Sequence, residues 1–89
     1  MKIRDLIIDE LEEGAIILEG EEFDGGIIGV SIDGRLVYDY DLMVESLSEA
    51  NGMTQEEATE YIDYNTIRAL PYMGELAPII IRSINERTD

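Results

Sequence analysis

Two runs rich in β-branched and aromatic residues, 27–32 and 35–40, flank the dipeptide Asp33-Gly34. That pattern constrains the fold more than any other in the chain. Asp-Gly tolerates the positive φ angles of a two-residue type I′ turn, so the spacing predicts a β-hairpin. In the second run Leu36, Tyr38 and Tyr40 alternate with Val37 and Asp39, which predicts one buried aromatic face.

Helical signals follow. Asp41 is the expected cap of a helix in which Met43, Leu47 and Ala50 stack at i, i+4 and i+7, with Asp41, Glu45 and Glu49 as a carboxylate row on the other side. Asn51-Gly52 ends it. Thr54-Gln55-Glu56-Glu57 spells a capping box for a second helix expected over residues 55–70, with Ala58, Tyr61, Ile62, Asn65 and Ala69 inward. Its outward face is Glu56, Glu57, Glu60 and Asp63, and Pro71 stops it.

Ahead of the hairpin, Ile3, Leu6, Ile7 and Leu11 fall at helical spacing and predict a short amphipathic helix over residues 3–13, with Gly14 at its end. Residues 15–18 read as a short strand, and residues 19–26 as an acidic, glycine-rich, mobile loop. Near the other end, residues 72–75 read as a turn, Ile79-Ile80-Ile81 as a strand, and residues 83–89 as a polar tail that frays. The chain has neither internal repeats nor low-complexity tracts. The expectation is one α+β domain over residues 1–89: an antiparallel sheet of about three to four strands, covered by the N-terminal helix and the helix pair. Residues 1–22 form its acidic leader.

Charge decides which partners such a domain can take. Between Asp5 and Asp63 stand eighteen acids and one basic residue, Arg35, and the whole chain has a formal charge of −15 with neither His nor Cys. With 45% hydrophobic residues beside that charge, the acids read as the surface of a folded domain and not as a disordered tail. Such a surface repels nucleic acid and anionic lipid and attracts basic surfaces. Without cysteine there is no disulfide framework and no thiolate chemistry. No apolar run approaches the roughly 20 residues of a membrane span, and the start offers only Leu6-Ile7-Ile8 as an apolar run, so a cytoplasmic location is expected.

The candidate chemistries narrow on the same grounds. A helix-turn-helix reading of the helix pair would aim Glu56, Glu57, Glu60 and Asp63 at phosphates, so no direct nucleic-acid binding is expected. Asp39 and Asp41 start an alternation that calcium loops need, but Met43 holds the third position, so no metal is expected. Without histidine or cysteine, and with neither Gly-x-Gly-x-x-Gly nor a lysine-bearing phosphate loop, the chain is expected to be neither an enzyme nor a cofactor protein. Residues 61–74 differ in character. They gather three of the five tyrosines, and Tyr64, Arg68 and Tyr72 fall at i, i+4 and i+8 with Met73 beside them, the residue types favoured at interfaces.

Those residues also bear a resemblance. The segments Val37-Tyr38-Asp39-Tyr40-Asp41-Leu42-Met43-Val44-Glu45, Gly52-Met53-Thr54-Gln55-Glu56-Glu57-Ala58 and Tyr61-Ile62-Asp63-Tyr64-Asn65-Thr66-Ile67-Arg68-Ala69, with Gly74 and Pro78, look like a family of small uncharacterised bacterial and phage or prophage proteins. The likeness spans about residues 23–81. It implies no named activity, and phage carriage is its only functional hint.

Phage carriage and an acidic surface together suggest a counter-defence inhibitor of anti-CRISPR or nucleic-acid-mimic type, acting on a basic surface of a host or phage protein. Carboxylates at i and i+4 of a helix lie about 6 Å apart along the axis, the scale of the step between phosphates, so Asp41, Glu45 and Glu49, and Glu56, Glu60 and Asp63, are the expected acidic contact faces. Tyr64, Arg68, Tyr72 and Met73 are the expected anchor. Two alternatives stand beside this reading: an assembly module or homodimer built on the anchor, and a small-molecule or nucleotide-signal binder with Arg68 or Arg35 as the anion contact.

Overall fold

A computed structural model describes residues 6–82 and residue 84. Its regular elements are β1 (Ile27–Val30), β2 (Leu36–Asp39), α1 (Tyr40–Asn51), α2 (Gln55–Ile62) and β3 (Ile79–Ile81). Short turns of 3-10 helix at Ile8–Glu10 and Glu21–Gly26 precede them. A π-helical turn at Asp63–Ile67 and a 3-10 turn at Leu70–Tyr72 link α2 to β3. The chain is α+β, with helices packed on a three-stranded sheet of order β1-β2-β3.

The β1–β2 pairing is the expected antiparallel hairpin, but β3 runs parallel to β2, with Tyr38 opposite Ile80. The sheet is therefore mixed and not wholly antiparallel. The cause is the connection: after β2 the chain crosses over through the helices and returns to begin β3 at the same end where β2 began.

The hairpin turn sits one residue earlier than Asp33-Gly34 suggests. Among the described residues only glycines have positive φ, so Asp33 does not adopt the type I′ geometry. Instead the Gly34 N–H donates to the Ser31 carbonyl at 2.9 Å, and the Ser31 N–H donates to the Arg35 carbonyl at 2.7 Å. This is a three-residue loop closed by a left-handed glycine, Gly34, at φ +82. A bulge between Ile27 and Gly29 leaves Ile28 exposed while Ile27 and Val30 both turn to the core.

The helix caps divide between success and correction. The capping box is as expected: the Glu57 N–H donates to Thr54 Oγ1 at 3.1 Å, and the Thr54 N–H donates to Glu57 Oε1 at 2.9 Å. Gly52, at φ +64, closes α1. The residue that caps the start of α1 is Asp39, not Asp41. The helix begins at Tyr40, directly after the strand, so the nearly buried Asp39 carboxylate accepts from the Leu42 N–H at 3.1 Å. Asp41 already lies inside the first turn.

The N-terminal region is less regular than its spacing predicts. Ile3 lies outside the described residues, and the helical turn ends at Glu10, with Ile7 buried and Leu6 exposed. Residues 15–18 are extended but form no strand. Bonds that hold them include Ile16 N–H to the Leu76 carbonyl at 3.1 Å and Leu18 N–H to the Tyr38 hydroxyl at 3.2 Å. The acidic loop is a 3-10 helix, because Phe23 is buried and docks it on α1, where the Ser46 hydroxyl donates to the Glu22 carbonyl. The expected tail at residues 83–89 falls outside the described residues, save Ile84.

Leu36, Tyr38, Met43, Leu47 and Ile62 are fully buried and form the centre of the core, with Phe23, Ile27, Val44 and Ala58 around them. Ala50, expected inward, is exposed in the last turn of α1. The second helix corrects more. It stays α-helical only to Ile62, and the Arg68 N–H then donates to the Asp63 carbonyl at 3.3 Å, a five-residue step. A wider π turn carries an i, i+4 row onward in line, so Ala58, Ile62 and Thr66 are buried while Tyr61 and Asn65 face out.

Candidate functional site

Because β2 runs straight into α1 and β3 lies parallel beside it, the carboxyl ends of both strands meet the far end of α2. An open cleft of about 550 Å³ lies there. Its polar groups are Tyr40 from the start of α1, Thr59 and Asp63 from α2 and its π turn, and Arg82 just beyond β3. Ile67, Leu70 and Ile80 form the apolar side.

The polar groups are mutually arranged. The Tyr40 hydroxyl donates to Asp63 Oδ1 at 2.7 Å. The Arg82 guanidinium lies over the Tyr40 ring, 5.1 Å from its centre, and 3.8 Å from Asp41 Oδ1. Burial, with the bond to Asp63 and that carboxylate's charge, pushes the Tyr40 hydroxyl up to about 12, against the opposing pull of Arg82 and a Thr59 hydrogen bond. At neutral pH Tyr40 is therefore a fixed, neutral donor, and the Asp63 carboxylate is aimed by it. The π turn begins at Asp63 itself, where the changed helical pitch sets how that side chain leaves the helix.

The structure divides the expected acidic faces. Asp41 is half-buried with Arg82 3.8 Å away, and Asp63 accepts from Tyr40, so each already has a partner within the chain. Glu45, Glu49, Glu56 and Glu60 are exposed and have no cation partner among the described residues. A smaller cleft, on the other side of Tyr40 and Thr59, is lined by Asp41, Glu45 and Gln55, so the acidic flank of α1 adjoins α2 there.

The expected anchor is only partly one surface. Arg68 lies over the Tyr64 ring at 5.4 Å, and both are exposed, as is Tyr72 at 90%. Met73 turns inward onto the core and lines a separate cleft with Leu18, Phe23 and Tyr61. Arg35, the other expected anion contact, is tied into the fold: its Nε donates to the Ala77 carbonyl at 2.8 Å and its guanidinium lies 3.9 Å from Asp33. Neither Arg35 nor Arg68 reaches the large cleft.

Sequence reasoning missed the Tyr40, Asp63 and Arg82 constellation. Tyr40 read as part of the buried strand face, Arg82 lies just past the expected strand, and Tyr40 and Asp63 are 23 residues apart with no periodic signal linking them. Chemically, the site offers an oriented carboxylate, a hydroxyl pair and an apolar wall, which suits holding a ligand. Among the described residues no three His, Cys, Asp or Glu converge on a metal position, and no helix is long and apolar enough to cross a membrane. Searches with this chain return no matching family model, curated protein or solved structure.

Proposed function

We propose that this protein acts by binding, without catalysis, and that its target is a basic surface on a partner protein in the cytoplasm. The supporting observation is the unneutralised acid on the helix pair: Glu45, Glu49, Glu56 and Glu60 stand exposed with no cation partner among the described residues, on a chain of formal charge −15. Exposed like charges raise the encounter rate with an opposite surface and give strong salt dependence. The resemblance to small phage proteins makes a nucleic-acid-binding defence protein the preferred target, inhibited by carboxylates standing where phosphates would lie.

Capture of basic, nucleic-acid-binding proteins from lysate tests this. Binding is expected to fall steeply as salt approaches about 1 M, where charges are screened within about 3 Å. It is also expected to be lost when Glu45, Glu49, Glu56 and Glu60 all become Gln. Capture indifferent to both changes sinks the proposal. The exposure of Tyr64 and Tyr72 favours a second reading, an assembly surface, for which sedimentation of the pure chain as a stable dimer is the test.

A further inference from the structure

We infer that the cleft between Tyr40, Asp63 and Arg82 seats a lysine or arginine side chain projected by the basic partner, with Ile67, Leu70 and Ile80 along its stem and Asp63 at its charged head. The inference rests on the reading of the protein as a binder of basic surfaces, and it places the specific contact at Asp63, at the end of the Glu56 and Glu60 row.

The cleft has the size of a ligand site: its volume of about 550 Å³ lies within the usual range of about 300–1,000 Å³. Three elements contribute its apolar side, the π turn through Ile67, the 3-10 turn through Leu70 and β3 through Ile80. Long basic side chains lay their methylene stems along such surfaces while the head stays with polar groups. For the head, Asp63 is already oriented. Tyr40 takes only one of the roughly four acceptor positions of a carboxylate, and the Asp63 side chain has no other partner among the described residues.

The sign of the site follows from its neighbours. Tyr40 is neutral and has spent its proton on Asp63. Among the described residues the one cation lining the cleft is Arg82, which has Asp41 beside it at 3.8 Å, so an incoming anion would meet two carboxylates against one guanidinium. A cation meets the reverse. The chain supplies its own example, for Arg82 lies on the Tyr40 ring with a carboxylate within reach, the arrangement a partner's guanidinium would take. Its side chain is 75% exposed, so it sits at the rim and competes with a guest without filling the cleft.

Titrating the 89-residue chain with small probes, read on the methyl resonances of Ile67, Leu70 and Ile80, tests the assignment. Butylguanidinium and butylammonium are expected to shift these methyls saturably, and about ten-fold more tightly than methylguanidinium, which lacks the stem. Butyrate and butanol are expected to leave them in place. Asp63→Asn keeps an acceptor for Tyr40 but should weaken the butyl cations about ten-fold, whereas Arg82→Gln should strengthen them. An equal response to methylguanidinium or butanol overturns the inference, as does undiminished affinity in Asp63→Asn. Saturable butyrate binding that Arg82→Gln abolishes also overturns it, since that describes an anion site. The probes contain no protein, so the two proposals fail separately. Salt-sensitive capture without probe binding keeps the acidic faces and removes the seat, and probe binding without any captured basic protein removes the partner as the source of the side chain.

Discussion

Asp39 and Asp41 show how two neighbouring residues of one type come to differ. Asp39 is the last residue of β2, in extended backbone, and its carboxylate satisfies the Leu42 N–H at the open end of α1. Asp41, two residues on, is helical and pairs loosely with an exposed arginine, an interaction worth little in water. Asp39→Ala is therefore expected to destabilise the protein by about 1–2 kcal/mol. Asp41→Ala is expected to stay within about 0.5 kcal/mol. Urea unfolding of the two variants checks the assignment, and a larger loss in Asp41→Ala than in Asp39→Ala would return the cap to Asp41. The sequence points to an acid capping this helix, but which of Asp39 and Asp41 does so depends on where the strand stops, and that is set by pairing with β1 and β3.

At the scale of elements, the segment Glu21–Gly26 is the instructive case. Its glutamates and glycines read as a mobile loop, and composition gives no reason to doubt that. One side chain reverses the outcome: Phe23 is 6% exposed and belongs to the core. Burying the phenylalanine offsets part of the ordering cost of the segment, and with the Ser46 bond to the Glu22 carbonyl it holds the turn on α1. Phe23→Ala is expected to cost about 3–5 kcal/mol and to raise amide exchange across residues 21–26. A loss under about 1 kcal/mol would mean that the segment is not part of the folded unit. The capping box and the Gly52 terminus, by contrast, were legible because each acts within four residues. The π turn after Ile62 was not. The backbone widens there and changes which residues face inward, replacing Asn65 by Thr66, and the helical period in the sequence gives no sign of it.

For the whole molecule, charge and fold pull against each other. A formal charge of −15 on 89 residues opposes compaction, and few cations stand near the acids to relieve it. Raising the salt from a few millimolar to a physiological level is expected to raise Tm by roughly 5 °C, the shift corresponding to about 1 kcal/mol in a domain of this size. A Tm that stays flat or falls would show that the acids are too far apart to repel. The sequence by itself determined the class of fold, the hairpin, the helix pair with its capping box, the third strand and the acidic surface, because turns, caps, periodicity and net charge are local or additive properties. Tertiary structure alone decided the direction of β3, the docking of Phe23 and the meeting of Tyr40, Asp63 and Arg82. These depend on which distant segments the crossover brings together, and no short-range preference of the chain encodes that.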